Sequence, residues 1–305
     1  MTETRSGLRV LTDPAEWSDL LESRRQEGAR IGLVPTMGAL HAGHQSLIRR
    51  ARADCDVGAV TDYVNPLQFD AGEDLEGYPR DLDRDCEQAA AVGADVMFAP
   101  SPAELWPQPR VVSVRVTGPL TAHMEAEARP GHFDGVTTIV AKLRALGGRS
   151  FVYFGEKDYQ QLAVVRRLAA DLSLPVFIVG CPTVRQTDGL ALSSRNAYLT
   201  ADERAVAPTL YWSLLAGKRA VEDDGERDAA RIRAAMRAVL DGAAQFATDY
   251  VAVADPDDLH VPERVDGPVR LLAAARLGRA RLIDNLAATP HPVDEDSAPD
   301  HGAGG

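Results

Sequence analysis

The chain predicts an α/β fold: a Rossmann-like parallel sheet with helices on both faces, followed by a smaller C-terminal α+β domain. Three observations carry that reading. Between residues 31 and 179, short β-rich apolar runs alternate with longer amphipathic ones, the signature of βαβ units. The short runs are near-continuously apolar, as in strands buried on both faces. After about Gly189 the alternation gives way to two helical stretches and then three strand-like runs.

In order, strands are expected at 31–36, 57–64, 96–99, 151–154 and 175–179, with helices at 45–53, 81–92, 136–146 and 159–172. Beyond the change of pattern, helices are expected at 201–220 and 227–245, separated by the acidic run 222–226. Strands are then expected at 250–254, 269–274 and 281–285. This divides the chain into a Rossmann-like domain at 1–188 and a smaller domain at 189–289. The tail at 290–305, with Asp294, Glu295, Asp296 and a glycine-rich end, is expected to be disordered. No internal repeat is present.

The 305 residues carry a formal net charge of −12, a field that repels phosphate and argues against nucleic acid or an anionic membrane surface as a partner. A phosphate-bearing ligand must then be held by a local cluster of donors. Cys55, Cys86 and Cys181 are odd in number and far apart, which fits a reducing compartment better than a disulfide framework. The N-terminus has no apolar secretory core, and no run approaches the ~20 apolar residues of a spanning helix. A cytoplasmic protein with no membrane contact is the expectation.

In parallel sheets, ligands sit beyond the carboxyl ends of the strands, at the point where strand order reverses. The unusual residues fall there. After the first strand, Pro35-Thr36-Met37-Gly38 leads to His41-Ala42-Gly43-His44 and a helix start. Free N–H groups and the positive end of a helix dipole favour phosphate, and each imidazole can donate to phosphate oxygens, more strongly when protonated. Gly38 and Gly43 are expected to let a nucleotide lie close to the backbone. A zinc site would need a third ligand at a recognisable spacing, and none is evident.

After a later strand, Gly155-Glu156-Lys157-Asp158 offers close approach, a compact cation and a helix cap. It reads equally as a plain capped turn, but beside the histidines Lys157 suits stabilisation of a transferring phosphoryl group. Leu192-Ser193-Ser194-Arg195-Asn196 at the domain junction supplies hydroxyls and a guanidinium for outer phosphates, and is also an ordinary loop sequence. Gln68 and Gln161 are neutral groups able to recognise a hydroxyl-bearing acid. Asp81, Asp83 and Asp85 near a helix start complement its dipole, with Asp85 also open to magnesium.

PTMGALHAGH (35–44), VNPLQF (64–69), RPGHFDGV (129–136), YFGEKDYQQL (153–162), PTVRQTDGLALSSRN (182–196) and AARLGRARLIDNL (274–286) together resemble the pantothenate synthetase family over about residues 30–288. His-x-Gly-His alone marks only the wider nucleotidylyltransferase and class I aminoacyl-tRNA synthetase superfamily. The resemblance implies two steps. The carboxylate of pantoate attacks the α-phosphorus of Mg-ATP, giving pantoyl adenylate and pyrophosphate; β-alanine then attacks the acyl carbon, releasing pantothenate and AMP. No tightly bound organic cofactor is implied, and a homodimer is.

Carried over residue by residue, the resemblance makes His41 and His44 phosphate ligands, with His44 the acid/base. It makes Met37, Gly38, Ala39, Leu40, His41, Ala42, Gly43 and His44 one nucleotide loop and Gly155, Glu156, Lys157 and Asp158 a second. Lys157 is expected on the phosphates and Asp158 near the ribose. Val184, Leu192, Ser193, Ser194 and Arg195 complete the ATP site, with Lys157 and Arg195 assisting catalysis. Gln68 and Gln161 hold pantoate, Gln68 also lying near β-alanine, and Asp85 and Gln88 fall where some members place magnesium. Two segments depart from the family pattern. Asp62 stands in a strand where an apolar run is expected, costly unless exposed or paired, and 146–150 replaces the usual connection. Asp62 leaves open a paralogue that uses a different amine; a catalytically idle nucleotide-binding protein is the remaining alternative.

Overall fold

A computed structural model of the protein describes residues 2–3, 7–69 and 75–291. The N-terminal part contains β1 (Thr2–Glu3), β2 (Arg9–Leu11), α1 (Pro14–Gln26), β3 (Ile31–Thr36), α2 (Ala42–Asp54), β4 (Val57–Asp62), α3 (Leu82–Ala90) and β5 (Val96–Phe98). It continues through α4 (Pro102–Leu105), α5 (Glu125–Ala128), α6 (His132–Gly147), β6 (Ser150–Gly155), α7 (Tyr159–Asp171) and β7 (Val176–Cys181). The remainder comprises α8 (Ala201–Val206), α9 (Thr209–Glu222), α10 (Ala229–Asp241), β8 (Phe246–Ala254), β9 (Val269–Leu277) and β10 (Ala280–Ala288).

The large sheet has the order β1-β2-β5-β4-β3-β6-β7. Six of its strands run parallel, and β1 pairs antiparallel to β2 at the edge. Alternation within each strand feeds two apolar layers. Leu33, Ala59, Phe98 and Val152 pack with α1, α6 and α7. Val34, Val60, Met97 and Tyr153 pack with α2 and α3. Helices therefore cover both faces, as the unbroken apolar runs require. The last three strands form an antiparallel sheet, β10-β9-β8, whose core is shared with α9 and α10.

Strand order reverses at β3, because β4 lies to one side and β6 to the other. The pairing of β3 with β6 stops at Leu33–Val152, whereas β3 stays paired with β4 to Thr36–Asp62. Pro35 explains the opening, since a proline has no N–H with which to continue the ladder. The crevice between the diverging ends of β3 and β6 is where a ligand belongs in such a sheet.

Some expectations need correction. The helix expected at 201–220 is two helices, α8 and α9, because Pro208 cannot donate within a helix and its ring crowds the preceding turn. The strand expected at 57–64 ends at Asp62, and α10 ends at Asp241 ahead of Gly242 rather than reaching 245. The 188/189 division falls inside a connection that runs from Cys181 to Ala201. The tail expected to be disordered lies outside the described residues beyond His291.

Candidate active site

Every expected loop converges on one cleft, of about 230 Å³, at the β3/β6 crevice. Its phosphate side is built first from α2. His41 caps that helix: Nδ1 accepts the N–H of Gly43 at 3.1 Å, which leaves Nε2 as the donor face. One turn on, the His44 ring lies 4.1 Å from the His41 ring, centroid to centroid. Burial is the main influence on both. It depresses His41 to about 4, assisted by the Lys157 charge, and His44 to about 3, assisted by His41. Both imidazoles are therefore neutral donors near pH 7, not the protonated groups considered from sequence.

Lys157 and Asp158 meet this pair from the end of β6, with Lys157 Nζ 3.4 Å from Asp158 Oδ1. Burial alone would raise the Asp158 carboxyl, but Lys157, and then Arg195, hold it below the usual carboxylate range. Across the cleft, Ser193 Oγ accepts the N–H of Arg195 at 3.3 Å and caps the turn Ser194–Tyr198. Met37, Gly43, Gly155, Val184 and 192–195 line the same wall.

Gly38, Ala39, Leu40, Ala42 and Glu156 were expected to contact ATP but do not line the cleft. The N–H groups of Ala39 and Leu40 turn backwards, donating to the two carboxylate oxygens of Asp85 at 2.8 and 2.7 Å. Gly38 has φ +77°, and a Cβ there would stand 2.5 Å from Asp62 Oδ1 and 3.0 Å from Asp85 Oδ2. Its missing side chain makes room for an acid pair behind the loop rather than for the nucleotide. Burial, then the Asp85 charge, pushes Asp62 up to about 7, so the pair holds one proton across most of the acidic range. Gly43 does face the cleft, but a Cβ on it would stand 2.8 Å from the His41 ring. Asp62 has thus found a partner and faces away from the site.

The second side of the cleft is apolar with two amides. Val136, Ile139, Val140 and Leu143 form one stripe of α6, joined by Pro35 and Phe154, and Gln68 and Gln161 reach in beside them. Asn65 holds Gln68 by donating to its Oε1 at 3.1 Å. Gln160, next in sequence to Gln161, is turned the other way. It donates to the carbonyls of Leu120 and His123 and accepts from Glu125 N–H. Arg129 and His132 also line the cleft, and both hold the Gln68 carbonyl, at 3.0 and 2.9 Å. The segment 129–136 was noticed in the sequence, but only tertiary structure brings these two side chains to Gln68.

Asp85 and Gln88, considered for magnesium, sit behind the nucleotide loop. Asp85 is committed to backbone N–H groups and Asp62, and the Gln88 amide lies against Gln45 and Leu40. They do not present an open set of oxygen ligands to the cleft. Asp158 is the one carboxylate lining it among the described residues.

A sheet opened at its reversal point, with a histidine-capped helix facing a lysine and an arginine, defines a nucleotide-binding α/β protein built to act on a triphosphate. Comparison with known proteins gives the family. The family described as Pantoate-beta-alanine ligase matches residues 9–287. The chain is 49% identical over 281 residues to the pantothenate synthetase of Oleidesulfovibrio alaskensis, covering 92% of this chain and 99% of that one. It is 50% identical over 270 residues to that of Deinococcus radiodurans, covering 87% and 95%. The crystal structure of pantothenate synthetase from Thermus thermophilus superposes with a TM-score of 0.88 at 44% identity, covering 93% of this chain and all of that one. A pantoate–β-alanine ligase from Francisella tularensis, solved with β,γ ATP and β-alanine, gives 0.75 at 31% identity, covering 92% and 97%. The chain belongs to the pantoate–β-alanine ligase family, whose members are ligases forming an amide C–N bond.

Proposed function

We propose that this protein condenses pantoate with β-alanine at the expense of ATP, through a pantoyl adenylate. The observation that carries the reading is the joining, in one cleft, of a phosphate wall (His41, His44, Lys157, Arg195) to an apolar wall bearing two amides (Gln68, Gln161). The apolar stripe of α6 suits a branched acid carrying methyl groups, and the amides suit its hydroxyls and carboxylate. In the first step a pantoate carboxylate oxygen attacks the α-phosphorus and pyrophosphate leaves. The neutral imidazoles and Lys157 offset charge on the phosphates. In the second step the amine attacks the acyl carbon, loses a proton, and AMP leaves with the former carboxylate oxygen. Enclosure keeps water from the mixed anhydride.

Magnesium would enter as the counter-ion of ATP, since Asp158 is the one carboxylate lining the cleft among the described residues and Asp85 is committed behind the loop. Asp158 serves the ribose in this reading. The connection 182–200 and the smaller C-terminal part close over the phosphates as a lid. A cytoplasmic location is supported by three buried free cysteines. Among the described residues no helix is long and apolar enough to cross a membrane. We also propose a homodimer: Val111 and Val112 are 93% and 71% exposed on an extended segment, and a second copy would cover them. Replacing both by aspartate should then yield a monomer in sedimentation equilibrium.

Neither alternative is favoured. Asp62, the reason to consider another amine, lies behind the loop and outside the cleft. An idle protein has no use for the retained histidines, Lys157 and Arg195. The test supplies pantoate, ATP and a panel of amines. AMP and pantothenate with preference for β-alanine support the reading; ADP, or preference for another amine, overturns it.

A further inference from the structure

The turn that aims Lys157 is not held by its own neighbours. Gly155 caps the turn Glu156–Asp158 with no side chain, and Asp158 makes no capping hydrogen bond to α7. The hold comes from β10 in the other part of the molecule. The Asn285 side-chain amide, 3% exposed, donates to the carbonyls of both Glu156 and Lys157 at 2.8 Å each. Its own oxygen accepts from Arg270 at 3.1 Å. That guanidinium is in turn fixed 3.7 Å above the Tyr159 ring and 3.6 Å from Glu156. Every polar atom of the Asn285 amide is thus committed to the turn or to the group bracing it.

The preceding residue grips the opposite loop. Asp284 binds Arg185 through both oxygens, at 2.5 and 2.9 Å. Arg185 also donates to the carbonyls of Gly189 and Asn285 and lies 4.3 Å from the Tyr211 ring. This fixes the hairpin that closes through Arg185–Ala191 and leads into Ser193, Ser194 and Arg195. Two adjacent residues of one strand therefore set the spacing between the lysine loop and the arginine loop.

Resting on the functional reading above, we infer that Asn285 is a positioning residue for adenylate formation: through the Glu156 and Lys157 carbonyls it sets where the Lys157 ammonium meets the phosphates. The energetic logic is that of a preorganised site, in which a displacement of ~1 Å costs about 100-fold in rate. Asn285→Asp keeps the shape but turns an acceptor oxygen toward two carbonyls, and Asn285→Ala leaves both without this donor.

The experiment separates the two half-reactions. Pantoate-dependent pyrophosphate release reads the first, and AMP release from supplied pantoyl adenylate with β-alanine reads the second. Both variants should slow the first about 100-fold and leave the second near wild type. Lys157→Ala combined with Asn285→Ala should be no slower in the first step than Lys157→Ala alone, since one residue acts through the other. Asn285→Ser, with a single hydroxyl donor, should fall between wild type and Asn285→Ala, and it carries the comparison if the alanine variant does not fold. Equal loss in both half-reactions, or multiplied losses in the double variant, overturns the inference. Wild-type protein that releases no AMP overturns the functional reading instead.

Discussion

The His41 and His44 rings lie 4.1 Å apart and line the cleft with Lys157, each held neutral mainly by burial. His44→Ala and Lys157→Ala should each slow pantoate-dependent pyrophosphate release by about 100- to 1,000-fold, with an unchanged circular dichroism spectrum. Near-normal release in either variant would remove that residue from its role. The depressed imidazoles also predict a pH dependence. In the unfolded chain His41 and His44 protonate as pH falls through about 6.5, whereas in the folded protein they resist to about 4 and about 3. Protons therefore favour the unfolded state across that window, and stability falls as pH is lowered from 6.5 toward 3. His44→Gln should lose less stability than wild type between pH 6.5 and pH 4 in urea titrations. An identical slope would show that His44 is not held neutral.

Among the elements, β3 and its turn were legible because an apolar run, a proline and a histidine-capped helix each have a distinct local signature. Strand β3 begins and ends where the sequence places it, and α2 begins three residues earlier than expected, immediately after its cap His41. β2 and α1 were not read. A strand of three residues has no measurable period, and α1 carries few apolar side chains, burying Trp17 and Leu21. The capping Asp13, which accepts from Ala15 and Glu16, was the available signal. The roles of Gly38 and Gly135 were equally hidden, since each is set by residues distant in sequence. A Cβ on Gly135 would collide with the Leu67 carbonyl oxygen, so α6 can approach the Gln68 loop only at a glycine. Gly135→Ala should destabilise the protein by about 1–3 kcal/mol and raise the pantoate KM. Unchanged melting and an unchanged KM would show that the loop yields freely.

For the whole molecule, the sequence predicted two parts and several loops that the fold brings to one cleft, but it offered no view of what joins those parts. At that junction Glu125 meets side chains more than a hundred residues away in sequence. Arg281 on β10 binds Glu125 through both oxygens at 2.7 and 2.8 Å, and it also pairs with Asp249 at 2.6 Å. Burial raises the Glu125 carboxyl, but Arg281 outweighs it and holds the group below the usual range. Tyr250 adds a hydroxyl to the same carboxylate at 2.8 Å. Removing one partner of a buried pair costs about 3–5 kcal/mol, so Arg281→Met should lower stability by that amount in denaturant unfolding. A loss within the range of an exposed pair, below about 1 kcal/mol, would show that the parts do not depend on this contact. Glu125 also begins α5, whose end leads into Arg129 and His132 at the cleft, and so strand β10 is bonded both to the Lys157 turn and to the helix that leads to the Gln68 side.

The central claim is that the two walls serve one reaction, in which an acid oxygen is transferred to the α-phosphorus before the amine enters. Pantoate labelled with ¹⁸O in both carboxylate oxygens tests it directly when turned over with ATP and β-alanine. The account predicts one labelled oxygen in each AMP, with the other retained in the amide carbonyl of the product. AMP free of label would contradict it.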